Sequence, residues 1–234
     1  MYSFKSRIRY SECDHEELLT LPGIIDYFQD VACFHSEDIG HGGKVLLDKG
    51  FAWVLCSWQL EIEEYPKFAD RVIIGTIPYD FKGFTGCRNC FIETEDGRKI
   101  VKANSIWAYV DMREGKAVRV PEEIKPDFQS DHPKLEMDYK PRRILLPEEG
   151  EVLEPVIAGK ENVDFLGHVN NGQFVKIAFS LSRRTERAHK VRVEYKTQAH
   201  TGDVLIPVRY EKDGCEIIAL KSADGGTYAI LELG

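Results

Sequence analysis

A chain that repeats one unit of secondary structure has few folds open to it, and this chain repeats. Residues 4–13 alternate apolar and polar side chains as a strand does. Leu21, Ile24, Ile25, Phe28, Val31, Ala32 and His35 then mark one face of a long helix. Thr20 is placed to cap it, Pro22 sits in its first turn, and Gly40-His41-Gly42-Gly43 ends it. Strand patterns at 51–64, 71–78, 84–94 and 98–111 follow as an antiparallel meander. After a stretch bearing Pro121, Pro126, Pro133, Pro141 and Pro147 the order begins again, shorter. There is a strand at 152–158, a polar loop at 164–171, a short helix, and strands at 189–197, 203–210, 215–222 and 227–233. Asp70-Arg71-Val72-Ile73-Ile74 has a counterpart in Asp203-Val204-Leu205-Ile206, and the turn Glu95-Asp96-Gly97 in Lys212-Asp213-Gly214. Such a duplication constrains architecture more than any local propensity. The reading is α+β: two units, each a helix on an antiparallel sheet. The first spans 1–125, a linker or crossover spans 126–147, and the second spans 148–234.

Composition narrows the function classes. With 43% hydrophobic and 30% charged residues, the 234-residue chain reads as globular. No apolar run reaches the ~20 residues of a membrane span. The first residues carry no apolar targeting core, so the expectation is a cytoplasmic protein. Six cysteines, at 13, 33, 56, 87, 90 and 215, read as free thiols in a reducing compartment. Cys87 and Cys90 fall on opposite faces of a strand, with no second pair to complete a zinc site. The net charge of −8 argues against nucleic acid as a general partner. A local basic run, Arg183, Arg184, Arg187, Lys190, Arg192 and Lys196, suits an acidic partner. Read singly, the same residues are a solvated helix end and strand start.

The chemistry concentrates at 163–174. Asp164 and His168 lie in the loop entering an amphipathic helix that begins near Asn171, with Asn170 as N-cap and Gln173 completing a box-like start. A helix N-terminus offers free N–H groups and favours negative charge. A carboxylate, an imidazole and two carboxamides beside it point to hydrolysis through an oxyanion. Taken singly, each residue reads as a cap or a turn; the cluster favours function. Elsewhere, His35 reads as core or pocket-lining, His15, His41, His132 and His189 as surface, and His200 as a residue at the pocket mouth. Phe28, Phe51, Trp53, Trp58, Phe81 and Phe84 read as core. No glycine motif sits in the strand-to-helix context a nucleotide cofactor needs, and no cofactor or metal is required.

The segment Asp-x-x-Gly-His-Val-Asn-Asn with its short helix resembles the catalytic segment of the acyl-ACP (acyl carrier protein) thioesterases, which are tandem hotdog proteins. Leu21-Pro22 opening the helix, Trp53-Val54-Leu55 starting a strand and Tyr65-Pro66-Lys67 before an Ala-Asp turn extend the likeness over most of the chain. The resemblance implies a double hotdog that releases free fatty acid from acyl carrier protein. The partner would be the acidic carrier with its phosphopantetheine-linked acyl chain, the first half would form the acyl-chain pocket, and a homodimer is compatible with it. It carries Asp164 and His168 over as catalytic residues, the aspartate as base or nucleophile and the histidine orienting it or sharing the proton. Asn170 and Asn171 match the family's Asn pair and, with Arg183, Arg184 and Arg187, are taken as substrate-binding. Two positions depart: Leu166 stands where the family has Asn, and Gln198 roughly where it has Glu. Gln198 can position a water but cannot accept its proton at neutral pH. Glu194 would share a strand face with Gln198 and substitute only if the register permits. An acyl-CoA thioesterase and a non-catalytic acyl-binding or carrier-docking module are the alternatives, with dehydratase chemistry a remote third.

Overall fold

The computed structural model describes residues 1–164, 167–184 and 187–234. The Leu166 departure lies outside the described residues. The chain forms two compact units, Met1–Cys56 with Leu60–Tyr139, and Ser57–Gln59 with Lys140–Gly234. The boundary at 139/140 falls inside the proline-bearing stretch.

In the first unit Thr20 caps helix α1 (Leu21–Asp38), its hydroxyl accepting the Gly23 N–H at 3.2 Å, with Pro22 in the first turn. The apolar stripe is the buried face, and Phe28 and Val31 are fully buried. Each such side chain contributes ~1.5–3 kcal/mol on burial. Strands β1 (Tyr2–Arg7), β2 (Phe51–Ile62), β3 (Arg71–Lys82), β4 (Thr85–Thr94) and β5 (Lys99–Asp111) follow the sheet order β1-β3-β4-β5-β2. The pairs β1–β3, β3–β4 and β4–β5 are antiparallel, aligning Phe4 with Ile74, Ile74 with Ile92, and Ile92 with Val101. α1 packs on β1, β3 and β4. The short elements α2 (Gly43–Asp48), β6 (Lys116–Ala117) and α3 (Lys125–Phe128) complete this unit.

Three expectations are corrected here. The first strand ends at Arg7 because the chain turns into a 3-10 turn, Tyr10–Glu12, closed by Arg9 N–H to the Glu12 carboxylate at 2.9 Å. His41 is buried rather than on the surface: its ring stacks on Phe128 at 5.4 Å, a residue brought in by α3. Phe84 is 48% exposed, in the turn of the β3–β4 hairpin rather than in the core.

The crossover is anchored by a buried amide. Asn89 on β4 is fully buried; its Nδ2 donates to the Ala103 carbonyl at 3.1 Å, while Oδ1 accepts the Leu135 N–H at 3.0 Å and the Tyr139 hydroxyl at 3.1 Å. Asn89→Ala removes the side-chain partner of the Leu135 N–H and the Ala103 carbonyl, while the Tyr139 hydroxyl keeps the Leu135 carbonyl at 2.7 Å, and is expected to cost about 2–3 kcal/mol in urea unfolding. A loss under ~0.5 kcal/mol, the range of a neutral surface change, would show that the amide anchors nothing.

The second unit has α4 (Asn171–Ser180) packed on a sheet ordered β9-β12-β11-β10-β7: β7 (Glu151–Val152), β9 (Lys190–Tyr195), β10 (Val204–Lys212), β11 (Cys215–Lys221) and β12 (Thr227–Leu233). The expected strand at 152–158 is instead two two-residue pieces, β7 and β8 (Val156–Ile157), both paired to β10. Pro155 between them has no N–H to give. Ile144 from the crossover joins the core of Val208, Tyr210, Ile217 and Ile230. Among the described residues no helix is long and apolar enough to cross a membrane.

Candidate active site

The two units share a loop almost bond for bond. In the second, Val163 bridges Val169, the Asp164 N–H donates to the His168 carbonyl at 2.8 Å, and the Gly167 N–H returns to the Asp164 carbonyl at 3.0 Å. The Asp164 carboxylate accepts the backbone N–H of His168 at 3.3 Å. In the first, Cys13 bridges Leu19, Asp14 N–H donates to Leu18 at 2.9 Å, Glu17 N–H returns to Asp14 at 3.1 Å, and the Asp14 carboxylate accepts the Leu18 N–H at 3.2 Å. The turn needs a positive φ, 80° at Gly167 and 61° at Glu17; the glycine adopts it without strain. The Asp70–Asp203 match holds equally: the carboxylates accept the N–H of Lys67 and of His200, each at 2.8 Å.

The aspartate is therefore a structural member of both loops, and what differs is the side chain four residues on. Leu18 in the first loop is His168 in the second. The His168 ring meets His200 edge to face at 5.0 Å, and the two residues form a backbone bridge. His200 Nδ1 lies 3.7 Å from the Asp203 carboxylate. Sequence reasoning places His200 at the pocket mouth and does not pair it with Asp203. The Asp70–Asp203 repeat was the signal available.

Asn170 caps α4, its Oδ1 accepting the Gly172 N–H at 2.8 Å, while its carbonyl accepts Gln173 N–H at 2.9 Å and Phe174 N–H at 3.3 Å. Gln173 does not close the expected box. Its Oε1 accepts from Asn162 Nδ2 at 3.1 Å. Asn171 opens the helix, and its carbonyl accepts the Tyr195 hydroxyl at 3.1 Å. Gln198 is exposed in the loop beyond β9, beside Ala199, whose carbonyl accepts the Val169 N–H at 2.7 Å. The strand-parity argument fails because β9 ends at Tyr195. Lys196 and Thr197 both turn their N–H onto the Tyr228 carbonyl, at 2.8 and 3.4 Å. Glu194 is buried and accepts the Ile144 N–H at 2.9 Å, a structural duty.

The basic run is largely committed within the unit. Arg183 pairs with Glu151 at 2.8 Å, and Arg184 donates to the carbonyls of Gly214 and Leu233 at 3.4 and 3.3 Å. Arg187 is half-buried. Arg192 pairs with Glu232 at 2.8 Å. A cavity of about 360 Å³ opens at the first loop, lined by Tyr10, Cys13, Asp14, His15, Glu17 and Phe68. Burial, with Glu12, Asp14, Glu17 and Asp70 nearby, pushes the Cys13 thiol up, so it is not set up as a nucleophile. Among the described residues no group of three His, Cys, Asp or Glu side chains could hold a metal ion.

Residues 1–128 match the model of the acyl-ACP thioesterase N-terminal domain, more than half of the chain. The chain belongs to the acyl-ACP thioesterase family. It is 21% identical over 185 residues to acyl-[acyl-carrier-protein] hydrolase FATB3, chloroplastic, of Cuphea viscosissima, covering 72% of this chain and 43% of that protein. To oleoyl-acyl carrier protein thioesterase 2, chloroplastic, of Arabidopsis thaliana it is 22% identical over 254 residues, covering 97% of this chain and 68% of that one. The chain thus spans less than half the length of the first of these relatives. Among solved structures, an acyl-ACP thioesterase from Bacteroides thetaiotaomicron superposes with a TM-score of 0.88 at 21% identity, over 99% of this chain and 96% of that one. The 12:0-ACP thioesterase from Umbellularia californica does so at 0.85 and 16% identity, over 99% and 95%. The family member therefore has the α+β double-hotdog fold expected of it, two helix-on-sheet units in one chain.

Proposed function

We propose that this family member hydrolyses fatty acyl thioesters of acyl carrier protein, releasing the free fatty acid, and that the loop from Asp164 to Asn171 is where it does so. The observation that carries the assignment is the contrast between the loops: one backbone geometry, but an imidazole at His168 where the first copy has Leu18. A water oxygen attacks the thioester carbonyl carbon while Asp164 takes its proton, with His168 orienting that proton or sharing it. The C–S bond then breaks and the carrier thiol leaves with a proton. Asn170 occupies the amides of Gly172, Gln173 and Phe174, which leaves the Asn171 N–H for the developing oxyanion. A positioned base contributes ~10²–10⁴-fold and an oxyanion donor ~10²–10³-fold. Gln198, exposed beside Ala199, is the residue proposed to hold the water. The six free thiols agree with a reducing, cytoplasmic setting, which is part of the same proposal.

The test is thiol release from matched acyl-carrier-protein and acyl-CoA substrates by the purified protein. Release with a higher kcat/KM on the carrier protein is expected. Equal rates on both carriers would remove the carrier from the proposal. Saturable acyl binding without thiol release would make the protein a binding module instead.

A further inference from the structure

One side chain of the first unit is buried with its charge unanswered. Arg88, on β4, is only 7% exposed, yet its guanidinium meets no carboxylate among the described residues. Its partners are the Ala32 carbonyl at 3.2 Å, His35 Nδ1 at 3.4 Å and the ring of Phe128, whose centroid lies 5.9 Å from Cζ. Burying a lone cation costs several kcal/mol even after relaxation, and a π face and one carbonyl repay only part of it. Two further polar atoms around the same ring are buried without a hydrogen-bond partner: His41 Nδ1 and Trp53 Nε1. Their rings lie 5.4 and 6.1 Å from that of Phe128, and the ring of Phe81 lies 5.8 Å from it. Buried polar groups are almost always satisfied, so a cation with no counter-charge and two unpartnered ring nitrogens about one aromatic ring point to an absent polar guest.

We propose that this is a binding subsite for a carboxylate borne on an aliphatic chain, with Arg88 as counter-ion and Phe128 as a displaceable plug. The guanidinium fork matches a carboxylate in two parallel hydrogen bonds. The wall is apolar: Leu46, Tyr109 and Val120 form the adjoining cluster, and Phe51, Trp53 and Phe81 are only partly buried against it. Phe128 stands on a four-residue helix held to the unit by the His41–Asp127 contact at 2.7 Å, with Asp127 half exposed. The carboxylate belongs either to a free fatty acid or to the far end of an acyl chain that carries one.

The subsite is tested without turnover, so its failure is separate from failure of the hydrolase assignment. Calorimetric titration of the wild type with dodecanoate and with dodecanol, equal chains with and without the charge, is expected to show at least tenfold tighter binding of the acid. Phe128→Ala is expected to tighten the acid further and keep the discrimination. Arg88→Met, checked for folding by its melting transition, is expected to abolish the discrimination while the alcohol still binds. Equal affinity for acid and alcohol in the wild type overturns the proposal whatever the variants do, and so does undiminished discrimination in folded Arg88→Met. Comparing dodecanoyl and ω-carboxydodecanoyl thioesters on acyl carrier protein separates the sources. A higher kcat/KM for the ω-carboxyl chain, lost in Arg88→Met, identifies the chain end; inhibition by dodecanoate without that preference identifies the free acid.

Discussion

Asp164→Asn is expected to lower kcat for acyl-carrier-protein hydrolysis by ~10²–10⁴-fold, the usual contribution of a positioned general base. The change is informative because asparagine keeps the oxygen that accepts the His168 N–H at 3.3 Å, and so keeps the loop. What it removes is the ability to hold a proton near neutral pH. His168→Ala should fall in the same range, since it deletes the imidazole from a loop whose first-unit counterpart folds with leucine at that place. Groups that serve one proton transfer act as a unit, so the double variant should be little slower than the slower single one. Melting curves separate lost chemistry from lost structure. If both single variants keep wild-type kcat, the loop is not the active site.

The largest expected loss of stability lies at Glu216. Its carboxylate is 4% exposed and sits 3.2 Å from Nε of Arg209, itself 8% exposed. The N–H does not point along that line, so the pair is held by charge more than by a hydrogen bond. The same carboxylate accepts the Ser182 hydroxyl and, at 2.9 Å, the Arg183 N–H. Glu216→Ala leaves the Arg209 cation with the half-exposed Glu151 at 2.9 Å and the Leu181 carbonyl at 2.5 Å. Breaking a buried pair from one side costs ~3–5 kcal/mol. Glu216→Gln retains an acceptor and should cost less. Denaturant unfolding that places the alanine variant within ~0.5 kcal/mol of wild type, as for an ordinary surface change, would remove the network from the account.

What could be read from the sequence follows the distance over which each interaction acts. Thr20 and Asn170 cap their helices as expected, because a cap involves residues two or three apart. The repeat was legible through Asp70 and Asp203, which hold equivalent turns. The misreadings involve partners far along the chain. His41 looked exposed because Phe128, which buries it, comes from a separate segment. That Arg183 and Arg184 have partners within the unit could not be read either, because Glu151, Gly214 and Leu233 are not their neighbours in sequence. Gln198 was placed on a strand because periodicity cannot show that the Tyr228 carbonyl draws two consecutive N–H groups and ends the ladder. The turn and cap geometry of the candidate loop was legible because Asp164, His168 and Asn170 are local to one another.

The two copies of the loop supply their own control. Asp14 and Asp164 hold equivalent turns, so Asp14→Asn and Asp164→Asn perturb the backbone alike. The decisive measurement is kcat/KM for acyl-carrier-protein hydrolysis in these two variants, side by side. Retention of activity within a few fold in Asp14→Asn, against a loss of ~10² or more in Asp164→Asn, is the result expected of a base that works only beside His168. Equal losses in the two variants would contradict it, and would return both aspartates to a purely structural role.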